Sequence, residues 1–231
     1  MLVLHNFRGD NLKRGDILWA FILILCIFIM LSPMTGDKFI KFTTEHAYIG
    51  GFIKFFILAT MGELLAIRIS TGNWKMPCGL IYRAIIWGFL GMCITLFFSI
   101  FQNGVQGAMA SGLLPKSDSR LITAFLTSAT TNLTFGPVMM AFHRVTDTYI
   151  DMKYENKGSR ISLGKVIEKV DWKGFISFVV LKTIPLFWIP AHTLTFWLPS
   201  EYRILAAAML SIALGAILAF AKKSKRAEQS I

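Results

Sequence analysis

Acidic residues are scarce in this chain: 13 Asp and Glu stand against 24 Lys and Arg in 231 residues, for a formal net charge of +11. Cysteine is scarcer still. Cys26, Cys78 and Cys93 are odd in number and lack a C-x-x-C spacing, so neither a disulfide framework nor a zinc site is indicated. H-E-x-x-H, G-x-S-x-G and P-loop sequences are also missing, and the expectation is a protein that is not an enzyme and uses no cofactor or metal. Lys13 and Arg14 precede an apolar run in the manner of a signal peptide. Ser32-Pro33-Met34-Thr35 offers no A-x-A-like cleavage site, however, which predicts a retained first helix.

What fills the chain instead is apolar: 55% hydrophobic residues, only 16% charged, and a mean hydropathy of +0.58. Hydrocarbon leaves backbone N–H and C=O groups no partner but each other, so a span takes about 20 mostly apolar helical residues. Runs approaching or exceeding that length are Ile17 to Met34, Ala47 to Ser70, Gly79 to Val105, Leu121 to Val145, Gly174 to Trp197 and Ile204 to Ala221. The expected fold is all-α, a polytopic transmembrane helix bundle of about six spans forming one integral membrane domain over residues 1–231.

The basic excess follows from topology. With six spans, Arg8, Lys13, Arg14, Lys75, Arg144, Lys153 to Lys173 and Lys222 to Arg226 share one side, while Lys38, Lys41, Lys116, Arg120 and Arg203 share the other. The positive-inside rule then predicts both termini in the cytoplasm, and no nucleic-acid role is needed to explain the charge. Between Thr146 and Lys173, Leu163, Val166, Ile167 and Val170 recur at helical spacing with Lys165 and Lys169 off that face. This predicts a cytoplasmic interfacial helix on the anionic inner leaflet of the bilayer. The polar tail from Lys222 to Ile231 is expected to fray.

Polar groups inside the spans are the candidate functional residues. Glu63 is the one acidic group deep in a span, where an unpaired charge costs on the order of 3 kcal/mol. Lys182 stands at similar depth and is its expected partner; Lys54, Arg68 and Arg83, nearer helix ends, are expected to snorkel. Thr123, Thr127, Thr130, Thr131 and Thr134 gather on one helix face beside Ser128 and Asn132, a stripe that serves either a watery path or interhelical hydrogen bonding. Pro137, next to Gly136, and Pro185 and Pro190 are expected to bend their helices. His143, Asp147 and Asp151 fall at i, i+4 and i+8, a pattern read as local hydrogen bonding before metal or acid–base chemistry, and His192 as a polar residue near the outer interface. Trp197, Tyr202 and Arg203 suggest an outer interface belt. In the last span Ala207, Ser211, Gly215 and Ala219 form a ribbon of small residues for close packing, which admits a homo-oligomer.

Gly136-Pro137-Val138-Met139-Met140-Ala141-Phe142-His143-Arg144-Val145-Thr146-Asp147 resembles a motif of the Mpv-seventeen and twenty-two-kilodalton peroxisomal membrane protein family. Gly62-Glu63 is similar to that family's Gly-Asp, and Pro199-Ser200-Glu201-Tyr202-Arg203 to its Pro-x-x-Tyr-Arg; Pro190-Ala191 answers to its Trp-Pro, with Ile189 in place of the tryptophan. His143 replaces the usual tyrosine, and residues 73–120 look like an insertion. The resemblance implies a pore-forming or solute-facilitating role of weak selectivity, with a small solute or ion as ligand. The expected location is a bacterial cytoplasmic membrane. The alternatives are a nonconducting structural or partner-binding membrane protein and, behind it, a membrane enzyme.

Overall fold

The computed structural model describes residues 12–157 and 160–228, with side chains omitted at Leu31 and 218–228. Arg8, the side chains of Lys222, Lys223, Lys225 and Arg226, and that of Ala219 in the small-residue ribbon thus lie outside the described residues. The described residues are 84% helix and contain no strand. Eight helices follow in order: α1 (Arg14–Leu31), α2 (Gly36–Glu45), α3 (Ala47–Thr71), α4 (Leu80–Ala110), α5 (Arg120–Glu155), α6 (Leu163–Lys169), α7 (Trp172–Trp197) and α8 (Ser200–Glu228).

All six apolar runs are helical, yet only α4, α7 and the Ser200–Ile217 part of α8 are, among the described residues, long and apolar enough to cross a membrane. The expectation of six spans is corrected to these three. α1 reaches 18 residues only with Leu31, whose side chain is outside the described residues. α3 carries Lys54, Glu63 and Arg68 along its length, and α5 is diluted by its hydroxyl stripe. Large apolar side chains on the outer faces, among them Phe21 and Phe28 of α1, Ile85 and Phe89 of α4, and Leu181 and Leu186 of α7, remain exposed, as contact with lipid tails requires.

α3 is the central helix, packed against α4 on one side and α8 on the other. Glycines set both contacts. A Cβ on Gly51 would come 2.8 Å from the Gly91 carbonyl of α4, and one on Gly62 would come 2.8 Å from the Ser211 carbonyl of α8. Without side chains in the way the helix backbones touch, and dispersion acts over the whole seam. The core, centred on Phe55, Leu58, Ile94, Phe98, Phe196 and Ala208, fills the space beside these seams. Gly72, at φ 72°, caps α3 with its N–H on the Arg68 carbonyl, and Gly79, at φ 64°, opens α4.

The long helices alternate in direction. Asp16 at the start of α1 meets Arg68 at the end of α3, and Arg83 at the start of α4 meets Asp147 late in α5. At the far end Arg203, in the first turn of α8, reaches Gln102 late in α4. The first pairs mark a basic end of the bundle, and the starts of α5 and α8 mark the opposite end.

Several expectations are corrected by these contacts. Lys54, Arg68 and Arg83 do not snorkel: each is at least nine-tenths buried. Arg68 donates from Nε and Nη2 to the two Asp16 oxygens at 2.8 and 3.0 Å, and Lys54 Nζ lies 5.1 Å from the centre of the Phe39 ring. α5 continues through Pro137 to Glu155, past the predicted loop start at Thr146, and α8 continues through Lys222 to Glu228, while residues 229–231 of the expected frayed tail lie outside the described residues. α6 is short and divides its apolar residues, with Val166 and Val170 buried while Leu163 and Ile167 stay exposed. α7 is not broken by its prolines. From Phe175 to Trp188 it is π-helical, and Pro185 is carried inside that wider i→i+5 pattern.

Candidate functional site

Five helices, α3, α4, α5, α7 and α8, border a half-open cavity of about 330 Å³. Most of its wall is apolar, with Phe55, Ile94, Phe135 and Met139 among the contributors. Polar side chains enter it at two levels.

Toward the basic end, Glu63 of α3 faces His143 and Asp147, one turn apart on α5. Trp87 Nε1 donates to Glu63 Oε1 at 3.0 Å, and His143 Nε2 lies 3.6 Å from the same oxygen, too far for a hydrogen bond. The Trp87 and His143 rings stack with centroids 4.1 Å apart, which fixes the imidazole. His143 Nδ1 is 3.5 Å from Asp147 Oδ2, while Arg83 places Nη1 2.9 Å from Asp147 Oδ1 and Nη2 2.5 Å from Asp151 Oδ1. The expected Glu63–Lys182 pair is absent. Lys182 is exposed on α7 and does not line the cavity, because the π-helical register places more residues in each turn and rotates it off the face an α-helix would present.

Glu63, His143 and Asp147 each offer one ligand atom, all within 4.8 Å of one another, a spacing a divalent ion could bridge. Arg83 already neutralises Asp147, and Trp87 holds the Glu63 oxygen that faces His143. The cluster is thus charge-compensated, although His143 Nε2 and Asp147 Oδ1 stay buried without a hydrogen-bond partner.

Midway along the bundle, Ser128 donates to the Ile189 carbonyl at 2.7 Å, tying α5 to α7, and Asn132 donates to the Ser128 carbonyl at 2.8 Å. His192 Nδ1 lies 3.0 Å from Asn132 Oδ1, so His192 belongs to the interior and not to the outer interface where the sequence placed it. Trp188, also in the wall, stacks on His192 at 5.0 Å and keeps its buried Nε1–H without a hydrogen-bond partner.

The threonine stripe divides. Thr131 lines the cavity with Asn132 and Gly136, whereas Thr127 lines a separate pocket at the opposite end and Thr134 is exposed. Each of the three donates its hydroxyl to the carbonyl four residues back on α5, at 2.8 Å for Thr127, 2.7 Å for Thr131 and 2.6 Å for Thr134. These hydroxyls serve neither interhelical bonding nor, at Thr134, a path. The second pocket, of about 170 Å³, lies beyond Phe98 and Phe196, whose rings meet with centroids 4.6 Å apart. Pro137 and Tyr202 are half-buried, Pro190 and Pro199 exposed, and Arg203 lines the second pocket.

Sequence reasoning missed Trp87, Trp188, Phe98 and Phe196, which read as ordinary members of apolar runs. Asp16 offered a signal, a carboxylate at the mouth of an otherwise apolar run, but its partner was not legible. In the structure its carboxyl is held well below the usual carboxylate range, first by the Arg68 guanidinium and then by the Lys13 backbone N–H, with Trp74 Nε1 adding a third donor at 2.8 Å. No protein family, curated protein or solved structure matches this chain.

Proposed function

We propose that the chain is a multi-pass membrane protein that takes a small polar solute or ion into the cavity between α3, α5 and α7 and facilitates its passage with weak selectivity. One observation carries the reading: a cavity of about 330 Å³ whose apolar wall holds Glu63, Asn132 and a buried Trp188 indole N–H with no protein partner. A buried donor without an acceptor costs about 1–3 kcal/mol, and a solute or water oxygen in the cavity relieves that cost. The Mpv-seventeen and twenty-two-kilodalton family resemblance points the same way, because Gly62-Glu63 and the Gly136 to Asp147 motif meet at this cavity.

In this reading the basic end faces the cytoplasm. In this reading α1, α3 and α5 cross beside the three more apolar helices, and because the start of α1 and the C-terminal half of α8 lie toward that end, both termini are cytoplasmic in a bacterial cytoplasmic membrane. α6 rests on the anionic leaflet through exposed Leu163 and Ile167, with Lys165 and Lys173 reaching phosphate groups while Lys169 pairs with Glu155 of α5.

The partner-binding alternative keeps the basic helix α6 as a motive but loses the other. The small-residue ribbon of α8 is used within the chain: Ala207 and Ala208 are in the core, and Gly215 faces the Gly62 carbonyl of α3. Flux of ions and small uncharged solutes into liposomes tests the proposal. Glu63→Gln should alter rate or selectivity in a folded protein, while Lys182→Gln, exposed and away from the cavity, should leave both unchanged. Equal flux in wild type, Glu63→Gln and empty liposomes would sink it.

A further inference from the structure

The smaller pocket, at the end of the bundle opposite Glu63, has a different chemistry. Gln102 and Gln106 of α4, Arg120 and Thr123 of α5, and Arg203 of α8 line it over a floor that includes Phe196. No carboxylate lines it among the described residues, and the two guanidinium groups are close enough to repel each other. Glu201 attracts Arg203 but accepts from the Ser200 hydroxyl at 3.2 Å and stays outside the pocket.

The backbone makes this placement more costly. Arg120 is the first residue of α5 and Arg203 sits in the first turn of α8, so both cations stand where helix N-termini already present positive charge. Those positions favour anions, and two arginines there are locally unfavourable without one. Arg203 is nevertheless held in place. Its Nε donates to the Leu198 carbonyl at 3.0 Å, its Nη1 donates to Gln102 Oε1, and its guanidinium lies 5.9 Å from the centre of the Phe196 ring. Because Gln102 turns its oxygen to Arg203, its NH₂ group remains a donor, as does Arg203 Nη2. A preset guanidinium, a carboxamide donor and a second arginine on the rim form a fork suited to a planar or tetrahedral oxyanion. The volume, about 170 Å³, admits a phosphate or carboxylate group with room beside it for water or the rest of the molecule that carries it.

We infer that this pocket binds a small oxyanion, a phosphate or carboxylate group, between Arg120 and Arg203. The site does not depend on whether the chain conducts, so its test measures binding and not flux. The group belongs either to a dissolved anion or to a phospholipid headgroup, and two measurements on the purified full chain separate these sources. In one, phosphate is titrated against a chloride control at constant ionic strength while thermal stability is followed. In the other, native mass spectrometry compares retention of phosphatidylglycerol with that of phosphatidylcholine. The expected result is saturable phosphate stabilisation, or selective retention of phosphatidylglycerol, that weakens about tenfold in Arg120→Gln, since a charge-assisted contact is lost. Arg120 is exposed at a helix end, so this variant keeps its fold; Arg203→Lys, which retains charge but not the fork, should weaken binding as well. Phosphate dependence alone identifies a dissolved oxyanion, and lipid retention alone identifies a headgroup. Absence of both in the wild type, or effects unchanged in Arg120→Gln, overturns the inference.

Discussion

Replacing Gly215 by alanine tests whether the α3–α8 seam is a backbone contact. A Cβ at that position would lie 2.8 Å from the Gly62 carbonyl oxygen, and ordinary contact begins near 3.4 Å, so the helices must separate by about 3.4 − 2.8 = 0.6 Å. The obstacle is a main-chain oxygen already fixed in α3, so no rotamer change removes the clash. Overpacking of this kind costs about 1–3 kcal/mol, against a helix-propensity gain of about 1 kcal/mol for alanine over glycine. Gly215→Ala should therefore range from near neutral to about 2 kcal/mol less stable than wild type. Gly104→Ala on α4 is the internal control. Nothing lies within 4 Å of its Cβ position, so it should gain up to about 1 kcal/mol from propensity alone. Reversible denaturant unfolding in one detergent compares them. Equal stability of the two variants would refute the backbone seam; a gap of about 1–3 kcal/mol between them supports it.

Asp16→Asn removes the carboxylate that accepts from Arg68 Nε and Nη2 and should cost up to about 3 kcal/mol, read from the same unfolding transitions. Because the folded-state pKa of Asp16 is depressed, its contribution is fully present above the ordinary carboxylate value near 4 and is lost progressively as pH falls toward the folded value. The wild type should thus lose more stability than Asp16→Asn between pH 5 and pH 2, and parallel losses would count against the pairing. Phe98→Ala removes one ring of the pair that separates the two pockets. It should destabilise by about 3–5 kcal/mol yet raise liposome flux per folded protein several-fold, and unchanged flux would place the path elsewhere.

Much of the architecture was legible because apolar length is a direct consequence of bilayer thickness: each of the six apolar runs contains or overlaps a helix. Glu63 was legible for the same reason, as a carboxylate surrounded by hydrocarbon side chains. Its partners were not, since a contact between helices depends on their rotation and relative height. Lys182 matched Glu63 in depth, but the π-helical register turned it outward, and His143 and Trp87 met the carboxylate instead. The three buried cations were misread for a related reason. A basic residue near a helix end does snorkel when it stands alone, whereas Arg68 and Arg83 find carboxylates on the ends of other helices. α2 was missed because its 10 residues include Lys38 and Lys41 and fall short of any span. The span count failed where every long apolar run was taken for a span: α3 is long, but Lys54, Glu63 and Arg68 interrupt it.

The ring pair of Phe98 and Phe196 stands between two chambers of different charge balance. In the cavity the carboxylates of Glu63 and Asp147 are offset by Arg144 in its wall and by Arg83 beside Asp147, whereas the guanidiniums of Arg120 and Arg203 border the pocket with no carboxylate among the described residues. If the proposed path runs through both, it is asymmetric along its length, in the manner of a rectifying junction: an anion would gather at the arginine end before it met the aromatic barrier, and entry from the two ends would differ in rate.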